Sequence, residues 1–214
     1  MGVDRLDETG AASARGREGI SKRSREDMID AAIQAFAAKG FQGTTTREVA
    51  AAAGLTPASF YVHFKSKEDL LYEIARTGHH QVLVSSRDSL NPEDDPTQQL
   101  VSFMRSFVIW HTTQHARARV NNYELKSLAD DHYREVLELR RETQQFVMSL
   151  LQRGIDEDLF DCPQPWLTTF AILSLGIDVA RWYPESHRWP PEEIAERYGR
   201  LVLKMVGARE ALIT

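Results

Sequence analysis

The chain has 214 residues, 42% apolar and 27% charged, with a formal net charge of −5, the composition of a globular protein with a real core in one or two domains. No apolar run approaches the roughly 18 residues that would span a membrane, and no secretory leader is expected, because the polar N-terminus has no apolar stretch. The single cysteine, Cys162, excludes an intramolecular disulfide and suits the cytoplasm, the location expected.

Residues 1–21 are rich in Gly, Ala, Ser and charge without hydrophobic period, and are expected to form a disordered arm. Arg15, Arg17, Lys22, Arg23 and Arg25 read either as a solvated tail or as cations that track phosphates or enter a minor groove. Met28, Ile29, Ala32, Ile33, Phe36 and Ala37 then recur at helical spacing and predict a helix over 24–39, stopped by Gly40. Thr44, Thr45 and Thr46 supply cap hydroxyls for a second helix over 46–53, with Glu48 in its first turn and Gly54 suited to its left-handed end. Thr56 caps a third helix over 57–64, with Pro57 at the first position, where a missing N–H costs nothing. A fourth begins near Lys67 after Ser66, with Asp69 at the place a capping-box Glu would take, and runs toward Leu90.

Beyond the turn-rich 91–96 only helical patterns follow. Helices are expected over 96–113 (Leu100, Phe103, Met104, Phe107 and Val108 inward), 116–128, 131–156, 164–181 and 191–207. The helix over 164–181 is apolar on most sides and is expected to be buried all round, in a core and a subunit interface together. The fold class expected is all-α, about nine helices: a disordered arm over 1–21, a three-helix domain over 22–68, and a helical domain over 69–214.

Two helices joined by a short turn containing Gly54 have the helix-turn-helix spacing. The second of them carries small residues, Ala58 and Ser59, on one side and Phe60 and Phe64 on the other, which suits a helix that enters a major groove while staying docked on its partner. The net charge argues against a nucleic-acid partner, but its distribution does not. Residues 15–67 hold nine Lys/Arg against five Asp/Glu, whereas residues 68–214 hold 16 against 23. A basic end on an acidic body orients a protein on DNA.

Gly40-Phe41, Thr44-Thr45, Val49-Ala50, Ala53-Gly54-Leu55-Thr56, Phe60-Tyr61, His63-Phe64 and Lys67-Glu68-Asp69-Leu70-Leu71 together resemble the DNA-binding domain of the TetR family of transcriptional regulators. The resemblance covers about residues 24–74; the rest is similar to the family only in length and helical texture. It implies a helix-turn-helix DNA-binding domain over 22–68, a helical ligand-binding and dimerisation domain over 69–214, and a homodimeric regulator on a palindromic double-stranded DNA operator, released by a small molecule and without a cofactor. No G-x-S-x-G, P-loop or dinucleotide fingerprint is present, so no enzymatic activity is expected. Thr45, Thr46 and Arg47 stand at a helix start, where free N–H groups and hydroxyls favour phosphate. Thr56, Tyr61, His63 and Lys67 resemble the family's phosphate-contacting positions. Pro57, Ala58 and Ser59 occupy the base-reading start of the recognition helix. Here the chain departs from the family pattern, with Pro57 where Lys is common and Ala58 where Gly is common. That removes a charge and leaves apolar contact and one hydroxyl, so Arg47 becomes the candidate for a guanine contact. Capping of helices by Thr45, Thr56 and Ser59 is expected at the same time.

The resemblance further implies dimerisation through the last two helices, consistent with Leu167, Leu173, Leu175, Leu201, Val202 and Met205, which also read as intramolecular core. An effector is expected among Phe103, Phe107, Trp110, His111, Tyr123, Leu128, Phe146, Leu150, Phe170 and Ile177, a mostly apolar lining, though each of these residues also reads as core. The stretch from Ala180 to Pro184, with 189–195, is similar to members linked to acyl-CoA, fatty-acid and steroid catabolism. There Arg181 for phosphate and Trp182 for adenine are candidate coenzyme A contacts; Trp182 and Trp189 read equally as seals of a dimer interface. No metal site is expected: His111 and His115 share a helix side and His79-His80 adds a pair, but no third ligand converges. Cys162 reads as an inert loop thiol or a redox sensor. Against the ligand-released repressor stands a constitutive DNA-binding protein with a filled second domain.

Overall fold

A computed structural model describes residues 7–186 and 189–209, with side chains over 21–183 and 189–209. Among these residues the chain is helical, with no strands and a single isolated bridge between Phe160 and Ala208. The helices are α1 (Asp7–Lys39), α2 (Thr46–Ala52), α3 (Pro57–His63), α4 (Lys67–Asp88), α5 (Pro96–Thr113), α6 (His115–Tyr123), α7 (Asp130–Asp156), α8 (Pro165–Ser186) and α9 (Pro191–Met205), with a 3₁₀ turn at Leu125–Ser127. They form two compact units, Met1–Leu71 and Tyr72–Thr214, the division falling inside α4.

Local chemistry sets the ends of these elements. α1 stops at Gly40, whose φ of 73° only glycine adopts at no cost and whose N–H bonds the Phe36 carbonyl at 2.9 Å. α2 ends in a Schellman motif: Leu55 N–H reaches Ala50 O at 2.8 Å and Gly54 N–H reaches Ala51 O at 3.0 Å, with Gly54 at φ 70°. Asp95 closes a capping box with Gln98 ahead of Pro96 at the start of α5. Asp69 does not complete the box anticipated at α4: its carboxylate takes the Lys65 N–H, at 3.1 Å, while Ser66 Oγ accepts the Asp69 N–H at 3.0 Å.

Three elements differ from expectation. α1 begins at Asp7, inside the segment anticipated as a disordered arm. Its Ala, Arg and Glu residues are good helix formers and no proline interrupts them, while Gly10, Gly16 and Gly19 weaken it and no apolar stripe supports it. The side chains of Arg15 and Arg17 lie outside the described residues. α6 stops at Tyr123 rather than 128; Asn121 and Asn122 are poor helix formers, and a 3₁₀ turn carries the chain on so that Leu125 and Leu128 are both buried. α8 runs to Ser186 rather than 181; within one chain Ile172, Val179 and Ala180 are inside, while Trp166, Leu167 and Phe170 are exposed, on the part of the helix left for a subunit interface.

The first unit is centred on Met28, Phe36, Val49, Phe60, Leu70 and Leu71, all buried. In the second, α5 packs on α7, α8 and α9. Its inner residues Leu100, Phe103, Met104, Phe107 and Val108 meet Val147, Leu150 and Leu151 of α7, Ile172 of α8 and Ile194, Val202 and Leu203 of α9.

Candidate DNA-binding and effector sites

In the first unit the helix-turn-helix is fixed from within. Thr45 caps α2 through a reciprocal box: its Oγ1 accepts the Glu48 N–H at 3.2 Å, and Glu48 Oε2 accepts the Thr45 N–H at 2.8 Å. Lys39 Nζ adds an ion pair to Glu48 at 3.0 Å. The Thr45 backbone N–H, Lys39 and the Thr45 hydroxyl together hold the Glu48 carboxyl down at about 2. Thr56 Oγ1 accepts the Ser59 N–H at 3.3 Å and shares a hydrogen bond with Ser59 Oγ at 2.9 Å. Phe60 and Phe64 seat α3 in the core, 0% and 2% exposed, which turns the opposite side of the helix outward and leaves Tyr61 62% exposed.

The predicted DNA residues thus occupy one half of this unit with different roles. Thr45, Arg47, Thr56, Pro57, Ala58 and Tyr61 are exposed, and Thr46, Ser59 and His63 are half-buried. Tyr61 Oη lies 3.4 Å from Thr46 Oγ1, tying α3 to the start of α2. Lys67 has a task that local sequence does not reveal. Its Nζ donates to the carbonyls of Phe41 and Thr44, both at 2.7 Å, and lies 4.2 Å from the centre of the Phe41 ring. The ammonium therefore pins the α1–α2 loop to the start of α4, with its remaining N–H left for other partners.

In the second unit a cavity of about 280 Å³ lies among α4, α5, α6, α7 and α8. Its lining is mixed: Val82, Phe107, Trp110, Leu137, Phe170, Leu173 and Ile177 are apolar, and His79, His111, Asn121, Asn122, Arg140, Arg141, Thr143, Gln144 and Ser174 are polar. The two kinds interleave, with the His111 ring against those of Phe107 and Trp110 at 4.3 and 5.0 Å. Gly176 makes room for the Phe107 ring, because a Cβ there would stand 2.4 Å from Phe107 Cδ1. A Cβ on Gly78 would stand 1.8 Å from the Asn121 amide. Asn121 is buried and, with its amide turned to suit its neighbours, donates to the Ile74 and Arg117 carbonyls at 3.2 and 3.3 Å.

Both histidines of the cavity are held neutral. His111 Nδ1 must carry its proton to bond the Phe107 carbonyl at 2.8 Å, and His79 Nε2 likewise bonds the Asn121 carbonyl at 3.2 Å. Burial pulls His111 down to about 4. Burial, reinforced by the nearby Arg140 charge, pulls His79 down to about 3. Each ring keeps one bare nitrogen as an acceptor.

Of the residues anticipated to line an effector site, the cavity gathers Phe107, Trp110, His111, Phe170 and Ile177. Phe103 and Leu150 are core, Leu128 is buried elsewhere, Tyr123 is exposed, and Phe146 packs edge-on against Phe103 at 6.0 Å. Arg181 forms a bidentate pair with Asp178, at 2.7 and 2.8 Å, and Trp182 packs against the core; neither lines the cavity. Of the polar lining only His111 was anticipated; the rest carries one signal in the sequence, the pair Arg140-Arg141, two adjacent cations on α7. Among the described residues no group of three or more His, Cys, Asp or Glu could hold a metal ion. Cys162 is buried, with Sγ 3.3 Å from Thr168 Oγ1.

Comparison with known proteins agrees with this arrangement. The family model for bacterial regulatory proteins of the tetR family matches residues 28–74. That for the tetracyclin repressor-like C-terminal domain matches residues 93–206. A crystal structure of a tetR-family regulatory protein from Rhodococcus RHA1 is 38% identical, covers 87% of this chain and 98% of its own, and superposes with a TM-score of 0.84. The transcriptional repressor KstR2 of Mycolicibacterium smegmatis is 29% identical over 184 residues, 84% of this chain and 88% of its own. The fold is also that of AibR, solved with isovaleryl coenzyme A and operator DNA, at 19% identity and a TM-score of 0.77 over 87% of this chain and all of that one. No described helix is long and apolar enough to cross a membrane. The capped helix-turn-helix in one unit and the helical second unit with its own cavity are the two halves of one kind of molecule, and the chain belongs to the TetR family of DNA-binding transcriptional regulators.

Proposed function

We propose that this regulator is a ligand-released repressor: a homodimer that occupies a palindromic operator in the cytoplasm and leaves it when a small molecule fills the cavity of the second unit. The observation that carries the reading is that cavity, about 280 Å³ with a lining both apolar and polar. The constitutive alternative expects a filled second domain, and a cavity of this size argues against it. His79 belongs to α4, the helix within which the two units divide, so an occupant that prefers one setting of this helix shifts the population of DNA-competent protein. The repressor KstR2 and the acyl-CoA-bound AibR make lipid-derived acids and their coenzyme A thioesters the first ligands to try.

On the DNA side, Thr45, Thr46, Thr56, Tyr61 and His63 meet phosphates, and Lys67 joins them only through the N–H its two carbonyls leave free. Pro57, Ala58, Ser59 and Arg47 face bases. Two such heads are needed for a palindrome, and α8 and α9 supply the dimer contact. Trp166 and Leu167 are 62% and 56% exposed, and Phe170 and Leu201 add to them, an apolar surface of the kind that monomers rarely leave open. Arg181 and Trp182 remain candidates for a coenzyme A moiety outside the cavity, with Trp182 and Trp189 alternatively at the dimer seam.

The test is binding to a palindromic fragment from the gene's own upstream region, with and without a panel of fatty-acyl and steroid-derived coenzyme A thioesters and the free acids. Release by any of them supports the repressor reading. Binding that no occupant of the cavity alters overturns it in favour of the constitutive one, and a failure to bind the fragment at all overturns the operator assignment.

A further inference from the structure

The cations of α7 are not alike. Arg134 pairs with Asp131, Arg141 with Glu138, and Arg153 with Glu157. Arg140 lines the cavity, half-buried, and no carboxylate pairs with it among the described residues. Its one hydrogen bond runs from Nη1 to Asn122 Oδ1 at 3.0 Å. Asn122 is itself fixed, since its Nδ2 donates to the Ala118 carbonyl at 2.8 Å, so the guanidinium is aimed rather than free. Partly withdrawing a cation from water with only an amide oxygen for company is unfavourable, and burial accordingly draws the Arg140 pKa below its ordinary value. The adjoining imidazoles are neutral and offer bare acceptor nitrogens, which add no negative charge. The cavity therefore holds a positive charge that no carboxylate among the described residues pairs, in a lining that also carries Phe107, Trp110 and Ile177.

We propose that Arg140 is the receptor for an anionic group of the effector, and that the effector is a small amphipathic carboxylic acid whose carboxylate meets Arg140 while its apolar body lies on Phe107, Trp110 and Ile177. The planar fork of arginine matches a carboxylate bidentately. The proposal rests on the effector reading above and narrows its ligand class. A cavity of about 280 Å³ lies near the lower end of the ~300–1,000 Å³ usual for small-molecule pockets. It takes an acid or the acyl part of a thioester, not a whole coenzyme A. A simple thioester presents a neutral carbonyl to Arg140 and leaves the charge unanswered. A thioester with a second, free carboxylate at the far end of its acyl chain supplies the same anion from another source.

The experiment is calorimetric titration of the full-length protein with decanoate, decanol, decanoyl-coenzyme A and the mono-coenzyme A thioester of sebacic acid, each repeated on Arg140→Met. Decanoate is expected to bind about 10- to 100-fold more tightly than decanol, the range of a charge-assisted hydrogen bond. Arg140→Met is expected to abolish that difference and leave decanol unchanged. The empty variant is expected to unfold no earlier than the parent, because the methionine removes an unpaired charge. Preference for the sebacyl over the decanoyl thioester, lost in the variant, identifies the distal carboxylate as the source of the anion. Equal binding of decanoate and decanol, an unchanged affinity for decanoate in the variant, or no binding of either acid overturns the proposal. Operator binding read in parallel separates the two claims. Acids that bind through Arg140 without releasing DNA sink the effector reading alone, and release by neutral ligands regardless of Arg140 sinks this proposal alone.

Discussion

Lys67 offers the sharpest test of how the DNA-binding unit is held. Its ammonium donates to two carbonyls at 2.7 Å and caps an aromatic ring at 4.2 Å. Lys67→Met keeps the stem and removes the charge. Each part-buried charged hydrogen bond contributes about 1 kcal/mol or somewhat more, and the cation–π contact about 0.5–1 kcal/mol. The loss is therefore about 2–3 kcal/mol. For a chain of this length that lowers the thermal midpoint by roughly 5–10 °C. The assay is thermal unfolding of both proteins, paired with operator affinity measured over a range of salt. If Lys67 is chiefly the clamp of the α1–α2 loop, the midpoint falls and affinity drops because the heads are loosened. An unchanged midpoint, with a salt slope reduced by about one, would mean that the side chain serves a phosphate alone and would refute the structural reasoning.

Three further outcomes are expected. Gly176→Ala places a Cβ 2.4 Å from Phe107 Cδ1; denaturant unfolding should show a loss of about 1–3 kcal/mol, and ligand binding should weaken because Phe107 is pushed into the cavity. The His79 and His111 pKa values are lowered to about 3 and about 4, so the unfolded chain binds more protons than the folded one below the ordinary histidine value of 6.5. Stability from these groups is thus fully present above pH 6.5 and is lost on acidification, by up to about 1.4 kcal/mol per pH unit for each group. Denaturant midpoints from pH 7 to pH 5 should show this slope, and His111→Gln should flatten it; an identical slope in the variant would exclude His111 as a source. Leu167→Glu places a charge on the exposed face of α8 and should shift the protein from dimer to monomer in light scattering while leaving helicity intact. A dimer that survives it would place the interface elsewhere.

The amino-acid sequence by itself determined the helix-turn-helix, because every signal that builds it is local. Thr45 and Glu48 are three residues apart, Gly54 supplies the positive φ that ends α2, and Thr56 with Pro57 starts α3. The exposure of Tyr61 against the burial of Phe64 follows from the same helical period. The period could not say which apolar residues face a space and which face each other. Phe103 and Phe107 recur one turn apart on the same side of α5, yet only Phe107 reaches the cavity, because Gly176 of α8 gives it room there. Most of the polar lining was illegible for a similar reason: His79, Asn122 and Arg140 come from three helices, and their meaning lies in distances that no spacing along the chain encodes. Lys67 reads as a phosphate contact until the loop carbonyls 23 and 26 residues away are seen to hold it. Caps and turns depend on neighbours in sequence, whereas cavities, unpaired charges and clamps depend on neighbours in space, and only the tertiary structure decided those.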